Sequence, residues 1–300
     1  MARQPQVGWL GDGKRLHLQD GPIDLIVEAN GNRVSLRAAY AAAISRFTGL
    51  LDELCDELPL LRSPVDPTRC DLKGVVARRM HAAVAPFARD HFITPMAAVA
   101  GSVAEEVLDA MVEAGSLSRA YVNNGGDIAF HLAHGEQFTV GLIDRPDALG
   151  LLRTTVVRAA DATRGIATSG YRGRSFSFGI ADAVTVLARS AAQADAAATI
   201  IANAVDLPDH RAVIRCPANE LQPDSDLGAR LVTREVGVLS ELEIAAALET
   251  GRTKARQLLA QGLIEAAALH VKGEIRVVGL PATGVPDRPR LPVDESMIHA

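Results

Sequence analysis

Two runs decide how this chain is read: Gly165-Ile-Ala-Thr-Ser-Gly-Tyr-Arg-Gly-Arg-Ser-Phe-Ser-Phe-Gly-Ile-Ala-Asp-Ala-Val-Thr-Val-Leu-Ala188 and, after a short gap, Ala194-Asp-Ala-Ala-Ala-Thr199. They set hydroxyls, glycines, two arginines and two carboxylates between apolar segments. Polar groups in such surroundings need partners, from the protein or from a ligand. Val122-Asn-Asn-Gly-Gly-Asp-Ile-Ala-Phe130 has the same character. Together these stretches imply a site for an anion and a metal ion.

In Asn123-Asn124-Gly125-Gly126-Asp127, two glycines between strands let the backbone turn with its N–H groups free, the geometry of an anion-binding nest. The same pattern is also a common hairpin turn. Thr168-Ser169-Gly170-Tyr171-Arg172-Gly173-Arg174 suits a phosphate or pyrophosphate, because guanidinium groups make bidentate contacts with such anions; the competing reading is a solvated turn. The ending of a Walker loop is absent, and the glycines do not fall as in a dinucleotide fingerprint. On a helix Asp195 and Thr199 lie one turn apart on one face, as oxygen ligands of Mg²⁺ or Ca²⁺ do. Equally, Thr199 bonds back to its own helix and Asp195 serves as a cap or ion-pair partner. His131 and His134 have no third metal ligand at a suitable spacing, so ordinary histidines at a strand end are expected.

Composition narrows the class. The chain has 300 residues, 48% hydrophobic and 22% charged, an ordinary globular balance with material for a sizeable core. A net charge of -5 without a dense Lys/Arg run argues against a nucleic-acid surface. Cys55, Cys70 and Cys216 lie far apart and read as reduced thiols. The first fifteen residues lack the apolar core of a signal peptide, and no run is long enough for a membrane span, so a cytoplasmic location without membrane contact is expected.

Along the chain, Arg15–Gln19 and Ile23–Glu28 predict an edge hairpin around Asp20-Gly21-Pro22. Apolar residues from Leu36 to Leu58 recur at helical spacing and predict one helix ending before Pro59. A loop carrying Pro64 and Pro67 follows. Val75–Arg89 predicts a short helix interrupted at Pro86, its basic side either solvated or holding a phosphate through one arginine. Phe92–Met96 reads as a strand end and Ala97–Ala114 as a helix. Strands are expected at Arg119–Phe130 (through the double-glycine turn), Gln137–Ile143, Leu151–Ala159, Arg211–Arg215 and Glu274–Val278. Ala183–Ala204 is apolar enough to contain a deeply buried helix, and Ser240 caps another that resumes as a second piece after Gly251. The alternation predicts an α+β fold of mixed sheets packed with helices.

The order Asn123-Asn124-Gly125-Gly126-Asp127-Ile128, Ile166-Ala167-Thr168-Ser169-Gly170, Val184-Thr185-Val186, Ala194-Asp195-Ala196-Ala197-Ala198-Thr199 resembles the ApbE superfamily, the FAD:protein FMN transferases. The whole chain, including Gly21-Pro22-Ile23-Asp24 and Phe92–Gly101, is most similar to an uncharacterised cytoplasmic branch of that superfamily. The resemblance runs from Leu16 to Gly279 and implies one ApbE-like, T-fold-related domain over 1–280, with a Pro-rich tail at 281–300. It implies FAD or FMN bound by Asn123, Asn124, Gly125, Gly126, Asp127, Thr168, Ser169, Gly170 and Arg174, with Mg²⁺ (or Ca²⁺) held by Asp195 and Thr199. Such enzymes split FAD and attach FMN to a Thr or Ser of a partner protein, chemistry in which a cation neutralises the separating phosphates. The catalytic candidates are Asp195 and Asp182.

Two departures stand out. The family's His-Ile-Ile-Asp-Pro-x-Thr-Gly loop is replaced by Arg174-Ser-Phe-Ser-Phe-Gly-Ile-Ala-Asp182, without His or Asp-Pro, and its Lys-Gly pair is Ala100-Gly101. The resemblance therefore implies either a metal-dependent flavin transferase or FAD pyrophosphatase, or a non-transferring flavin-binding or accessory protein serving a redox partner. A different small-molecule enzyme in the same pocket, with Asp182 or His131 as acid or base, is a third reading. A homodimer is among the allowed assemblies.

Overall fold

The computed structural model describes residues 4–145, 148–279 and 297–299. In chain order the elements are β1 (Gln6–Trp9), β2 (Leu16–Asp20), β3 (Ile23–Gly31), α1 (Arg33–Phe47), α2 (Leu50–Asp56), α3 (Leu58–Leu61), α4 (Val75–Val84) and α5 (Val99–Ala114). Next come β4 (Leu117–Asn124), β5 (Asp127–Leu132), β6 (Gln137–Arg145), β7 (Ala148–Arg158), β8 (Gly165–Ser169), β9 (Ala183–Ala188) and α6 (Ala191–Ala204). The remainder is β10 (Val213–Pro217), α7 (Ala218–Leu221), β11 (Leu231–Val236), α8 (Glu241–Ala260), β12 (Ala266–Val271), β13 (Glu274–Val278) and β14 (Met297–His299). Apart from β14, the expected tail at 281–300 lies outside the described residues.

Nine strands form one sheet in the order β1-β2-β3-β4-β5-β8-β9-β12-β13, each pair antiparallel. The α+β expectation holds; parallel pairing is confined, among the described residues, to β14 with β6 in a three-stranded sheet. Alternate residues of the central strands face opposite ways. Val122, Ala129, Ala167 and Val186 join cores shared with the helices, whereas Tyr121, Phe130 and Leu187 join a cluster with Phe138, Val140 and Val157 of β6 and β7. The large sheet thus lies between a helical layer and the small sheet. Phe138 meets Tyr121 and Phe130 edge to face, at centroid distances of 6.2 and 5.9 Å.

Several expectations change. The helix expected from Leu36 to Leu58 breaks at Gly49, whose φ of +82° suits glycine, and Pro59 sits in the first turn of α3, where its missing N–H is not needed. Phe92–Met96 is no strand end, since Pro95 opens a 3-10 turn over Pro95–Ala98. Ala183–Ala204 divides into strand and helix: Val184, Thr185 and Val186 favour the pleated form, and Ser190 caps α6 by accepting from Gln193 N. Helix α8 continues unbroken through Gly251, where a Cβ would stand 2.2 Å from Val205 Cγ2. The glycine marks close packing rather than a stop. Arg79 on α4 is paired with Glu105, Glu106 and Asp109 of α5, which excludes it as a phosphate holder.

Candidate functional site

Four predicted stretches converge where α5 and α6 meet the strand ends. Helix α5 begins after Ala98, which has no side-chain acceptor for the first N–H groups. Asp195 of α6 supplies that acceptor from outside, its Oδ2 receiving the Gly101 N–H at 3.0 Å. The helices approach so closely that a Cβ on Gly101 would lie 2.3 Å from Ala191 O. The sequence accordingly carries glycine at that position, beside Ala100. Asn124 at the end of β4 donates from Nδ2 to Ala100 O at 3.2 Å, tying the hairpin to the same helix end.

The β4–β5 turn is built by Gly125 and Gly126, at φ +65° and +112°, and closed by Gly126 N–H donating to Asn123 Oδ1 at 2.8 Å. The next residue, Asp127, is buried and accepts the Thr168 N–H at 3.1 Å. Arg174 crosses over the turn: its Nη2 donates to Pro22 O at 2.9 Å, and a Cβ on Gly125 would stand 2.8 Å from its Nη1. This arginine therefore bridges the β2–β3 and β4–β5 turns.

Asp127 and Asp195 interact electrostatically. Burial pushes the Asp127 carboxyl up to about 7, with the Thr168 N–H and the Arg174 charge opposing the rise. Burial also raises Asp195 well above the usual carboxylate range, and the charge of Asp127 raises it further against the Gly101 and Ala100 N–H groups. By exposed area Asp195 is only half-buried, although protein surrounds it closely.

Thr168 and Thr185, opposite each other on β8 and β9, share a hydroxyl hydrogen bond of 2.9 Å. Ser169 and Thr199 are half-buried, and among the described residues their hydroxyls have no hydrogen-bond partner. Gly170 runs against the Asp182 backbone, where a Cβ would lie 2.6 Å from Asp182 O. Asp182 itself belongs to another cluster. It accepts from Arg172 Nε at 2.6 Å and from Lys272 N, while its own N–H donates to His270 O at 2.9 Å. His131 Nε2 lies 3.3 Å from Leu117 O.

The donor set bears on a divalent cation. Among the described residues no cluster of three or more His, Cys, Asp or Glu is assembled, so a complete protein cage is lacking there. Mg²⁺ bound with phosphates does not need one, since it takes one or two carboxylates and leaves its other positions to waters and phosphate oxygens. Asp195, with Thr199 one turn further and Asp127 within electrostatic reach, meets that simpler requirement. The backbone donors at Gly101 and Thr168, the Pro22 carbonyl and the Thr185 hydroxyl gave no signal of their own in the sequence as parts of this site.

Fold and site together define an α+β protein built on a nine-stranded antiparallel sheet, with two interacting carboxylates, Asp127 and Asp195, beside the junction of α5 and α6. The family described as AbpE bacteria matches residues 7–277, and the chain belongs to this ApbE-like family. A UPF0280 protein of Methanothrix thermoacetophila is 42% identical over 113 residues, 38% of this chain and 46% of that protein. A UPF0280 protein of Methanothermobacter thermautotrophicus is 32% identical over 202 residues, 67% of this chain and 73% of that one. The first curated relatives are matched over only 46%, 66% and 64% of their own length. The crystal structure of the Pseudomonas stutzeri flavinyl transferase ApbE, apo form, aligns with 93% of this chain and 96% of its own, at TM-score 0.46 and 13% identity. No helix among the described residues is long and apolar enough to cross a membrane.

Proposed function

We propose that the chain binds a flavin nucleotide, FAD or FMN, where α5, α6 and the β4–β5 turn meet, and that Asp195 and Thr199 hold a divalent cation against its phosphates. The observation that carries this reading is the juxtaposition of Asp127 and Asp195, two enclosed carboxylates whose pKa values both rise. A cation bound beside two such carboxyls favours their ionised forms and draws both values back down. Membership of an ApbE-like family supplies the nucleotide.

Within this reading, Gly125, Gly126, Asn123 and Asn124 shape the turn beside the phosphates, Ser169 offers a free hydroxyl, and Arg174 contributes positive charge at the rim. Gly170 and Thr168 fix the strand end beneath. A bound cation would neutralise charge on the pyrophosphate as FMN and AMP separate. An attacking hydroxyl, from water or from a Ser or Thr of an acceptor protein, forms the new bond to the FMN phosphorus; AMP leaves with the old bridging oxygen. The attacking group's proton needs an acceptor, and Asp127, titrating near 7, matches that task at neutral pH.

A second reading, flavin binding without transfer, is favoured by Asp182. Its carboxylate is already engaged by Arg172 and the Lys272 backbone, and the segment from Arg174 to Asp182 has no histidine. Asp182 then acts as a structural anchor of that segment. The two readings separate when FAD and Mg²⁺ are incubated with the purified protein. AMP release with FMN, or flavin fixed on an acceptor, supports the enzyme; bound FAD recovered intact supports the binding protein.

A further inference from the structure

Helices α5 and α6 meet by their first turns, and each takes a backbone N–H of the other. Asp195, on the second turn of α6, accepts from Gly101 N at 3.0 Å; Glu105, on the second turn of α5, accepts through Oε1 from Ala192 N at 2.9 Å. Both donors belong to first turns, where the helix itself offers no carbonyl to receive them. The first bond ends on a carboxylate of the proposed cation site. The second ends on a residue outside it.

Ala192 is buried, so its N–H depends on Glu105 rather than on water. Around it the backbone of α6 is confined by shape. A Cβ on Gly101 of α5 would lie 2.3 Å from Ala191 O, and one on Gly165 of β8 would lie 2.1 Å from Ala191 N. Such contacts resist approach. They do not resist separation, or rotation of α6 about its axis, whereas a directional hydrogen bond does.

Glu105 is itself held. Its side chain is 15% exposed, and Oε2 lies 3.2 Å from Arg79 Nε. Arg79 reaches from α4 to Ser102 O at 3.2 Å and to Glu106 and Asp109, both at 2.8 Å, which fixes its guanidinium along α5. A carboxylate pinned at one oxygen presents the other in a set direction. The contacts therefore run from Arg79 through Glu105 to Ala192 N–H and on along α6. Asp195 stands about 4.5 Å beyond Ala192 along the helix axis, and Thr199 about 10 Å beyond it.

We propose that Glu105 is a positioning residue of the cation site: through Ala192 N–H it sets the height and rotation of α6, and with them the places of Asp195 and Thr199, while Arg79 orients Glu105. The inference rests on the cation reading above. A bound cation draws on the Asp195 carboxylate, which already serves Gly101 N–H; the Glu105 bond uses no group that the cation takes. It keeps α6 in place with the cation bound or absent.

Mg²⁺ is titrated into the full-length protein with FAD, followed by flavin fluorescence, for the wild type, Glu105→Ala, Glu105→Gln and Ser240→Ala. Glu105→Ala leaves Arg79 with Glu106 and Asp109 and removes the acceptor for Ala192 N–H. It is expected to raise the half-saturating Mg²⁺ concentration about tenfold, as loss of a group that holds a metal ligand in place does. Glu105→Gln keeps an oxygen for that N–H and is expected to stay within about threefold of the wild type. Ser240→Ala lowers the unfolding midpoint without moving the Mg²⁺ requirement, which separates positioning from loss of stability. Should Glu105→Ala fail to fold, Glu105→Asp takes its place: it keeps a charge beside Arg79, falls one methylene short of Ala192 N, and is expected to show the same tenfold rise. A wild-type Mg²⁺ requirement in the variant without the acceptor, or an equal rise in Glu105→Gln, overturns the inference and leaves the cation site standing. Wild-type protein that binds FAD without regard to Mg²⁺, or binds none, overturns the cation reading and the inference with it.

Discussion

Replacing Asp127 with asparagine removes one charge from the buried pair and keeps an oxygen to accept the Thr168 N–H. The consequence follows from linkage. A carboxyl whose pKa rises from an ordinary 3.8 to about 7 on folding binds its proton more tightly in the native state, so stability is highest at low pH and falls as pH rises towards the folded value. The loss is about 1.4 kcal/mol per pH unit over roughly two units above pH 5, or about 3 kcal/mol between about pH 5 and pH 8. Asp127→Asn lacks this term. Its thermal unfolding midpoint, relative to the wild type, is expected to be higher by roughly 5–10 °C more at about pH 8 than at about pH 5, without divalent cation. Adding Mg²⁺ narrows the gap, because a cation beside the pair favours the ionised form of Asp127 and so removes the pH-dependent cost that only the wild type carries. Differential scanning fluorimetry or circular dichroism across the pH range reads the effect. Parallel profiles for the two proteins would refute the claim that an enclosed carboxylate pair carries uncompensated charge.

Gly101→Ala places a methyl 2.3 Å from Ala191 O, which forces α5 and α6 apart; a loss of about 3 kcal/mol or more is expected in chemical denaturation, together with weaker nucleotide binding. Ser240→Ala removes the capping box of α8 and costs about 1 kcal/mol, with FAD affinity unchanged. Thr199→Val preserves shape and deletes an unpartnered hydroxyl, so folding stability stays within about 0.5 kcal/mol while the Mg²⁺ concentration needed for half-maximal FAD binding rises. Equal Mg²⁺ requirement in the variant and the wild type would remove Thr199 from the cation site.

What the sequence disclosed was governed by range. The Asn-Asn-Gly-Gly-Asp turn, the β2–β3 hairpin and the body of α5 are encoded locally, by turn chemistry and by the period of apolar residues, and they form where local rules place them; the hairpin is not at the sheet edge as expected, because β1 pairs outside β2 and β4 pairs with β3. Gly49 and Gly251 look alike in sequence, yet one breaks a helix and the other packs inside one, because the tertiary neighbours Val205 and Leu269 crowd Gly251 while Gly49 faces open space. The division of Ala183–Ala204 into strand and helix follows from a sheet completed by β12, a strand eighty residues away. At the site, the order of motifs marked Asp127, Thr168 and Asp195, but not that Asp195 caps a foreign helix. Backbone N–H groups have no residue type, so the donors at Gly101 and Thr168 left no trace in the pattern. Asp182 was conspicuous as a lone carboxylate beside apolar residues; its partners Arg172 and Lys272 lie on different elements, and the second is a backbone group.

The central claim is that the site at Asp127 and Asp195 binds a flavin nucleotide with a divalent cation. Purification of the full chain in Mg²⁺, followed by absorbance and mass spectrometry of the ligand released on denaturation, tests it most directly. The account predicts FAD or FMN in the wild type, lost on chelation and in Asp195→Asn. Wild-type protein that carries no flavin and takes up none when FAD and Mg²⁺ are supplied would contradict it.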